Sequence, residues 1–119
     1  MAVSIEEYFK ALLSLEEALS LPKTDIVRDA TIQRFIFCIE LAWKTSKKVM
    51  GTQTSAPKQV LREMAQNGFI ENVDLWFDFL ENRNLSLHTY DQVLAEKVFA
   101  SAQKFLPEGK KLEAKLKSK

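Results

Sequence analysis

The chain has 119 residues, of which 46% are hydrophobic and 28% charged, and its formal net charge is +1. This balance excludes a disordered chain, and the length predicts one domain over residues 1–119. The small net charge excludes a strong general attraction to nucleic acid, and the single cysteine, Cys38, excludes an internal disulfide and a cysteine-based metal cluster.

The hydropathy of the chain bears on its location. The N-terminus lacks the basic and apolar pattern of a signal peptide, and no apolar segment approaches the ~18 residues that a membrane helix needs. We therefore expect a cytoplasmic protein with no membrane partner.

The first predicted helix opens with a capping box. In the sequence S-x-x-E, Ser4 and Glu7 can each satisfy an otherwise free backbone N–H. The helix should end before Pro22, because proline cannot continue it. Helical spacing gives this helix one apolar face, which contains Ile5, Phe9, Leu12, Leu13 and Leu19.

The second predicted helix is apolar on two sides. Asp25 is a favourable N-cap, and the helix should reach about Met50, with Gly51 just past its end. Phe37 and Leu41 lie outside its main face, so the helix is either central in a bundle or buried between subunits. We predict a homodimer, with a single exposed aromatic side chain as the alternative. The main face contains Ile32, Phe35, Ile36, Ile39, Ala42 and Trp43.

Three further helices complete the predicted fold. Ser55 before Pro57 opens a short third helix, which Gly68 closes, a fourth begins near Asn72, and Asp91 caps a fifth. All glycines and prolines, including Pro107 and Gly109, are interpreted as breaks between helices. The sequence therefore predicts an all-α protein, an up-and-down four-helix bundle with one short extra helix.

Charged residues on the second helix form a possible polar groove. Glu40 and Lys44 are spaced as a favourable i,i+4 ion pair. Arg28, Asp29 and Arg34 could line a groove together with that pair, or could simply face solvent.

The segment RNLSLHTY, residues 83–90, contains the only histidine, His88. Histidine changes charge near neutral pH, and an arginine in an apolar seam needs an acceptor. In a continuous helix, Arg83 and His88 are rotated by roughly 140°, so they can serve one site only if the helix distorts or ends, or if a second subunit completes the site. Arg83 shares its predicted stripe with Trp76, Leu80, Leu87 and Tyr90.

Other chemistries lack support. The chain has no glycine-rich phosphate loop, no nucleotidyltransferase pattern of G-S with paired aspartates, and no H-E-x-x-H motif. With one histidine and one cysteine, we expect neither a metal site nor a cofactor.

Three segments resemble the bacterial nucleotidyltransferase substrate-binding family, within the wider HEPN superfamily. They are RDATIQRFIFCIELAWKTSKKVMG (28–51), SAPKQVLREMAQNGFI (55–70) and WFDFLENRNLSLHTYDQVLAEKVF (76–99). The combination of R-D-A-x-I-x-R-F, E-L-A-W-K and R-N-L-x-x-H-T-Y is specific. One departure is Ile36, where relatives usually carry an acidic residue after R-F, which weakens the case for a polar small molecule in the groove.

The resemblance implies a helical bundle that forms homodimers and has a separately encoded minimal nucleotidyltransferase as its partner. Related HEPN proteins are toxin ribonucleases with an R-x4–6-H motif at a dimer cleft, and the partner can silence them by adenylylating the tyrosine of R-x4-H-x-Y. On this sequence, Arg83 would be the phosphate clamp, His88 the acid/base, Asn84 a phosphate or histidine contact, and Tyr90 the modified residue. The resemblance thus implies a metal-independent ribonuclease acting on RNA. A non-catalytic substrate-binding subunit and a plain dimerisation module with a residual motif are the alternatives.

Overall fold

A computed structural model of the chain describes residues 5–118. Helices are the only regular secondary structure among these residues, so the predicted all-α fold class is confirmed. No helix in this range has both the length and the apolar character to cross a bilayer. The helices are α1 (Glu6–Leu19), α2 (Asp25–Met50), α3 (Pro57–Gln66), α4 (Val73–Leu85) and α5 (Gln92–Lys117), and a 3₁₀ turn, Ser86–His88, follows α4.

Helix α2 is the central element, since it contacts each of the other four helices. Its predicted apolar face is buried, except that Ile36 is only half-buried. On its other side, Leu41 is half-buried and Phe37 is 52% exposed. The central position accounts for most of the apolar surface of α2, and Phe37 is left uncovered within this chain.

The helix ends follow local capping chemistry, with two corrections. Thr24, not Asp25, caps α2, because its hydroxyl accepts the backbone N–H of Val27 at 3.1 Å. Ala56, not Ser55, precedes α3. Asp91 caps α5 as predicted, and Asn72, near which the fourth helix was expected to begin, is the N-cap of α4. The predicted capping box depends on Ser4, which lies outside the described residues.

Glycine closes two helices because both positions need a left-handed backbone. Gly51 has φ 71° after α2, and Gly68 has φ 78° after α3. Side chains with a Cβ rarely adopt this conformation, which explains why the sequence marks these ends clearly.

An aromatic cluster forms the centre of the core. Phe35, Trp76, Phe79 and Phe105 are buried, and their edge-to-face pairs have ring centroids 5.4–6.4 Å apart. These rings come from α2, α4 and α5, so the cluster joins three helices.

The buried face of α1 differs from the predicted one. Leu12 is buried as expected, but Leu13 is 64% exposed, and Tyr8 and Leu15 occupy the core instead. The helix is rotated so that the Tyr8 hydroxyl donates a hydrogen bond of 2.7 Å to the carbonyl of Gly109. The face of α1 that is buried therefore consists of Tyr8, Leu12, Leu15 and Ala18, and the Tyr8 hydroxyl finds a partner on α5.

Pro107 and Gly109 lie inside α5, so their interpretation as breaks was wrong. Pro107 removes one helical N–H, but it is exposed, as is Gln103, whose carbonyl loses that partner. Gly109 is needed for close packing, because a Cβ there would lie 2.8 Å from Cε2 of Phe105 and 2.9 Å from Cδ1 of Leu12. Both residues fit a continuous helix for reasons of exposure and space.

Candidate active site

Helix α4 ends at Leu85, three residues before the only histidine. The 3₁₀ turn that follows changes the direction of the chain, so the stripe predicted to continue to Leu87 and Tyr90 stops. Leu87 is 82% exposed and Tyr90 is 86% exposed. Tyr90 therefore does not share a buried seam with Arg83, which corrects the interpretation from helical spacing.

His88 and Tyr90 lie side by side on this turn. Their ring centroids are 6.3 Å apart with an interplanar angle of 73°, and both side chains are exposed. The turn is held by its own hydrogen bonds: Thr89 Oγ1 donates to the carbonyl of Ser86 at 3.0 Å, and the N–H of Asp91 donates to the carbonyl of His88 at 3.1 Å. The exposed pair therefore sits on a fixed backbone.

Arg83 lies on the last turn of α4 and is turned toward α2. Its guanidinium forms an ion pair with Glu40, and its Nη2 donates to Oδ1 of Asn84 at 2.7 Å. The Arg83 side chain is 23% exposed, and its partial burial lowers the pKa of the guanidinium. Asn84 is thus engaged with Arg83 rather than with the histidine.

Glu40 connects Arg83 to a further cation. Lys44 lies one turn along α2, and its Nζ is 3.5 Å from the second carboxylate oxygen of Glu40. One acidic residue therefore stands between two basic ones, and this row of alternating charge joins the end of α4 to α2. The Glu40–Lys44 pair predicted from the sequence is confirmed. Nothing in the sequence indicated that Arg83 would share Glu40.

Arg28 and Asp29 form a second polar cluster near the same turn. The Arg28 side chain is buried, with Nε 3.1 Å from Asp29 and Nη1 3.2 Å from Glu96. The hydrogen bonds that Arg28 donates to Glu96, and then to Asp29, raise the pKa of Arg28. The bonds that Glu96 accepts from Lys23, and then from Arg28, lower the pKa of Glu96. Sequence reasoning missed Glu96, because its partners are distant in the chain.

Asp29 also lies beside Tyr90, the tyrosine of the R-x4-H-x-Y motif. Together with Ile32 and Thr89 it lines a shallow depression against Tyr90. Asp29 therefore belongs to the surroundings of the turn, whereas the buried Arg28 mainly joins α2 to α5.

Arg34 lies apart from these groups. Its guanidinium donates to the carbonyl of Ser14 at 2.7 Å and pairs with Glu17 at 3.0 Å, both on α1. The residues singled out from the sequence thus divide into three sets. The first is the row of Asn84, Arg83, Glu40 and Lys44, and the second is the exposed pair of His88 and Tyr90, with Asp29 nearby. The third consists of Arg28 and Arg34, which make contacts between helices.

The arrangement places an acid/base residue and a cation at one end of α4. Histidine can transfer a proton, and arginine can stabilise negative charge on a phosphate. Between residues 5 and 118, no group of three or more His, Cys, Asp or Glu side chains is placed to hold a metal ion. Cys38 is buried, and burial raises the pKa of its thiol to about 12, so it is not a nucleophile at neutral pH.

Known proteins resemble the chain over most of its length. Residues 3–118 match the family described as nucleotidyltransferase substrate binding protein like. A curated protein of Haemophilus influenzae, "Probable ribonuclease HepT", is 30% identical over 103 residues, which is 80% of this chain and 70% of that protein.

Two solved structures share the fold. HI0074 from Haemophilus influenzae, described as revealing the fold of a substrate binding domain of a nucleotidyltransferase, has 27% identity and a TM-score of 0.85, with 96% of this chain and 99% of that chain covered. A crystal structure of a protein from Thermus thermophilus has 28% identity and a TM-score of 0.83, with 92% and 98% covered. Together with the family match over residues 3–118, these two structures confirm the resemblance. The chain belongs to the nucleotidyltransferase substrate-binding protein family.

Proposed function

We propose that this chain is the metal-independent ribonuclease toxin of a toxin–antitoxin pair, and that the partner is a separately encoded minimal nucleotidyltransferase. The observation that carries the proposal is the exposed His88–Tyr90 pair on a fixed turn directly after the helix that holds Arg83. Neither ring contributes to the core, so a structural role does not account for them. The name of the HepT relative supports the same activity.

The residue types suit cleavage of RNA by its own 2′-hydroxyl. His88 accepts the proton of the 2′-hydroxyl as the 2′-oxygen attacks phosphorus. The histidine, now protonated, then donates a proton to the departing 5′-oxygen. Arg83 stabilises the charge that develops on the phosphate oxygens, which its planar donor fork matches. No metal is needed for either role.

A homodimer would complete the cleft. The outward side of α2 carries Ile26, which is 82% exposed, and Phe37 on the same helical face as Glu40. Because Glu40 holds Arg83, pairing through the part of this face that carries Ile26 and Phe37 would bring two copies of the Arg83 region together and would leave the end of α2 beyond Glu40 open. The exposed apolar side chains supply the hydrophobic area that such an interface requires.

Tyr90 is the proposed site of silencing. At 86% exposure its hydroxyl is open to an enzyme that transfers an adenylyl group from ATP and releases pyrophosphate. The added group would lie against His88, whose ring is 6.3 Å from that of Tyr90, and would bring a negative charge to the place where the RNA phosphate must enter. Modification there would exclude the substrate both sterically and electrostatically.

Incubation of the purified chain with RNA in the presence of EDTA tests the ribonuclease activity. We expect cleavage to continue without metal and to be absent from the His88→Ala variant prepared in parallel. An intact RNA in both samples would contradict the proposal and favour the binding function described below.

Incubation with the partner enzyme and ATP, followed by intact-mass measurement, tests the silencing. We expect a gain of one or more adenylyl groups that disappears in Tyr90→Phe, together with loss of ribonuclease activity in the modified protein. An unchanged mass would argue against the antitoxin scheme and leave the ribonuclease activity untouched.

A second candidate function is a non-catalytic subunit that presents a substrate to the nucleotidyltransferase. The description of HI0074 as a substrate binding domain favours it. It predicts that a nucleotidyl group is transferred to a bound small molecule, with no change in RNA and no change in the mass of this chain.

A further inference from the structure

A groove at the C-terminal half of α2 lies outside the residues given catalytic roles above. It has a volume of about 690 Å³, within the range of ~300–1,000 Å³ typical of ligand sites. Its lining combines the apolar side chains of Leu41 and Trp43 with three lysines and one glutamate. The lining residues are Glu7, Leu41, Trp43, Lys44, Thr45, Lys47, Lys48 and Ser55.

The lysines of this groove are poorly neutralised. Lys44 shares Glu40 with Arg83, and among residues 5–118 no carboxylate pairs with Lys47 or Lys48. On α5, Lys110 pairs with Glu16 and Lys111 with Glu108, whereas no ion pair joins Lys104 or Lys115 to another residue between 5 and 118. The groove brings three lysines and one carboxylate, Glu7, to one concave surface, so it carries net positive charge although the whole chain is almost neutral.

The helix dipole explains only part of this pattern. Cations in a last turn stabilise the C-terminal end of a helix, which is where Lys47 and Lys48 lie. The dipole explains neither Lys44, which lies almost two turns before the helix end, nor the apolar wall of Leu41 and Trp43. A concave surface with an apolar wall and several cations fits a ligand that has both a flat apolar part and negative charge.

The groove is continuous with the candidate active site. Lys44 contacts Glu40, and Glu40 contacts Arg83, so the first lysine of the groove is one residue removed from the proposed phosphate clamp. Lys48 follows Lys44 by four residues on one helix, about one turn or ~5.4 Å further. Basic side chains therefore lie on both sides of Glu40, with Arg83 on one side and Lys44, followed by Lys48, on the other.

We propose that this groove binds the RNA strand next to the cleavage position, with backbone phosphates on Lys44, Lys47 and Lys48. A base lies against the wall of Leu41 and Trp43. This inference rests on the proposed function in taking RNA as the substrate. A strand fits better than a free nucleotide, because basic side chains occur beyond the groove as well, at Arg83, with only Glu40 between Arg83 and Lys44.

Binding of a labelled 2′-O-methyl oligouridylate, which this mechanism cannot cleave, tests the groove by fluorescence anisotropy. For the double variant Lys47→Ala/Lys48→Ala we expect the Kd to rise about tenfold or more at low salt, and the slope of log K against log salt to fall by about 1.4, at ~0.7 for each phosphate contact on a single strand. The melting temperature should fall only slightly, because neither side chain is buried and only their interaction with the helix dipole is lost.

A charge-matched variant separates the groove from general electrostatics. Lys104 and Lys115 are exposed on α5, and no ion pair joins either to another residue between 5 and 118. Lys104→Ala/Lys115→Ala removes the same charge and should leave the Kd within about twofold of wild type, since neither lysine lines the groove. Equal weakening by the two double variants, or no binding by the wild-type chain, would overturn the proposal.

Competition with ATP distinguishes the two sources of a nucleotide. If ATP binds in a manner that depends on Lys47 and Lys48 while the oligonucleotide does not bind, the site is for a free nucleotide and the strand assignment is wrong. The oligonucleotide is not cleaved, so its binding does not depend on ribonuclease activity. If the oligonucleotide binds through Lys47 and Lys48 but the chain cuts no RNA, only the proposed function is contradicted. Cleavage with unchanged binding in Lys47→Ala/Lys48→Ala would contradict the groove alone.

Discussion

The two halves of helix α4 differ in what surrounds them. In the first half, Trp76 and Phe79 are fully buried among the aromatic rings of α2 and α5. At the other end, Arg83 is partly buried against α2, and the chain then leaves the helix with His88 and Tyr90 in solvent. A few residues therefore separate the best-packed part of the protein from its most exposed aromatic pair.

This difference teaches how a small domain can carry reactive groups without losing stability. The rings of the core fix the position of α4, and Glu40 fixes its last turn. Residues 86–91 contribute little buried area, so they are free to be chosen for chemistry. Substitutions in the two halves should consequently change different measurements.

The largest expected effect is on activity and comes from the exposed end. His88→Ala should lower ribonuclease activity by about 10²–10⁴-fold and abolish growth inhibition, because the acid/base group is lost. The free energy of unfolding should change by less than about 0.5 kcal/mol, since the side chain is exposed. Cleavage assays and chemical denaturation measure the two quantities, and unchanged toxicity would remove the catalytic role.

Phe79→Ala should produce the opposite result. The ring is buried between Trp76 and Phe105, and its removal should lower the free energy of unfolding by about 3–5 kcal/mol through lost burial and a cavity. Urea denaturation gives this value. Under conditions where the variant is still folded, RNA cleavage should be retained, and a loss of activity from the folded variant would show that the two halves are not independent.

Gly109→Ala tests the packing between α5 and α1. An added methyl group would lie within 3.0 Å of Phe105 and Leu12, so the rings and helices must move apart. We expect a destabilisation of about 1–3 kcal/mol, although alanine favours a helix more than glycine does. A rise in melting temperature would mean that the interface has more room than the structure indicates.

Tyr8→Phe should have the smallest effect of the four. It removes the hydroxyl that donates to the carbonyl of Gly109 and leaves the ring in place. The free energy of unfolding should fall by about 0.5–1.5 kcal/mol, the usual net contribution of one hydrogen bond. Melting temperatures of Tyr8→Phe and Gly109→Ala, measured side by side, compare the loss of a hydrogen bond with the gain of a steric contact at the same point of α5.

Much of the fold could be predicted from local chemistry. Caps at Asn72 and Asp91 and the left-handed glycines at positions 51 and 68 act within a few residues, so the sequence indicates them directly. The errors came from tertiary contacts. Pro107 and Gly109 resemble a break until the position of α1 shows why Gly109 must be small.

The candidate site was predictable in its residues but not in its arrangement. The motif identified Arg83, His88 and Tyr90, whereas helical spacing alone put Arg83 with Tyr90 and turned His88 away. A distortion or end of the helix before His88 was one of the alternatives left open by the spacing, but no proline or glycine marks the end of α4 at Leu85, so the 3₁₀ turn itself could not be placed. The same holds for the ion pair of Arg83 with Glu40, which depends on how α4 packs on α2.

The Arg83–Glu40 pair has a consequence for selectivity. An anion that reaches this arginine exchanges one partner for another, and it gains only the difference between the two contacts. A lone phosphate offers little more than the carboxylate already present. A ligand that makes several simultaneous contacts can outcompete Glu40, so the pair should favour such ligands over small anions.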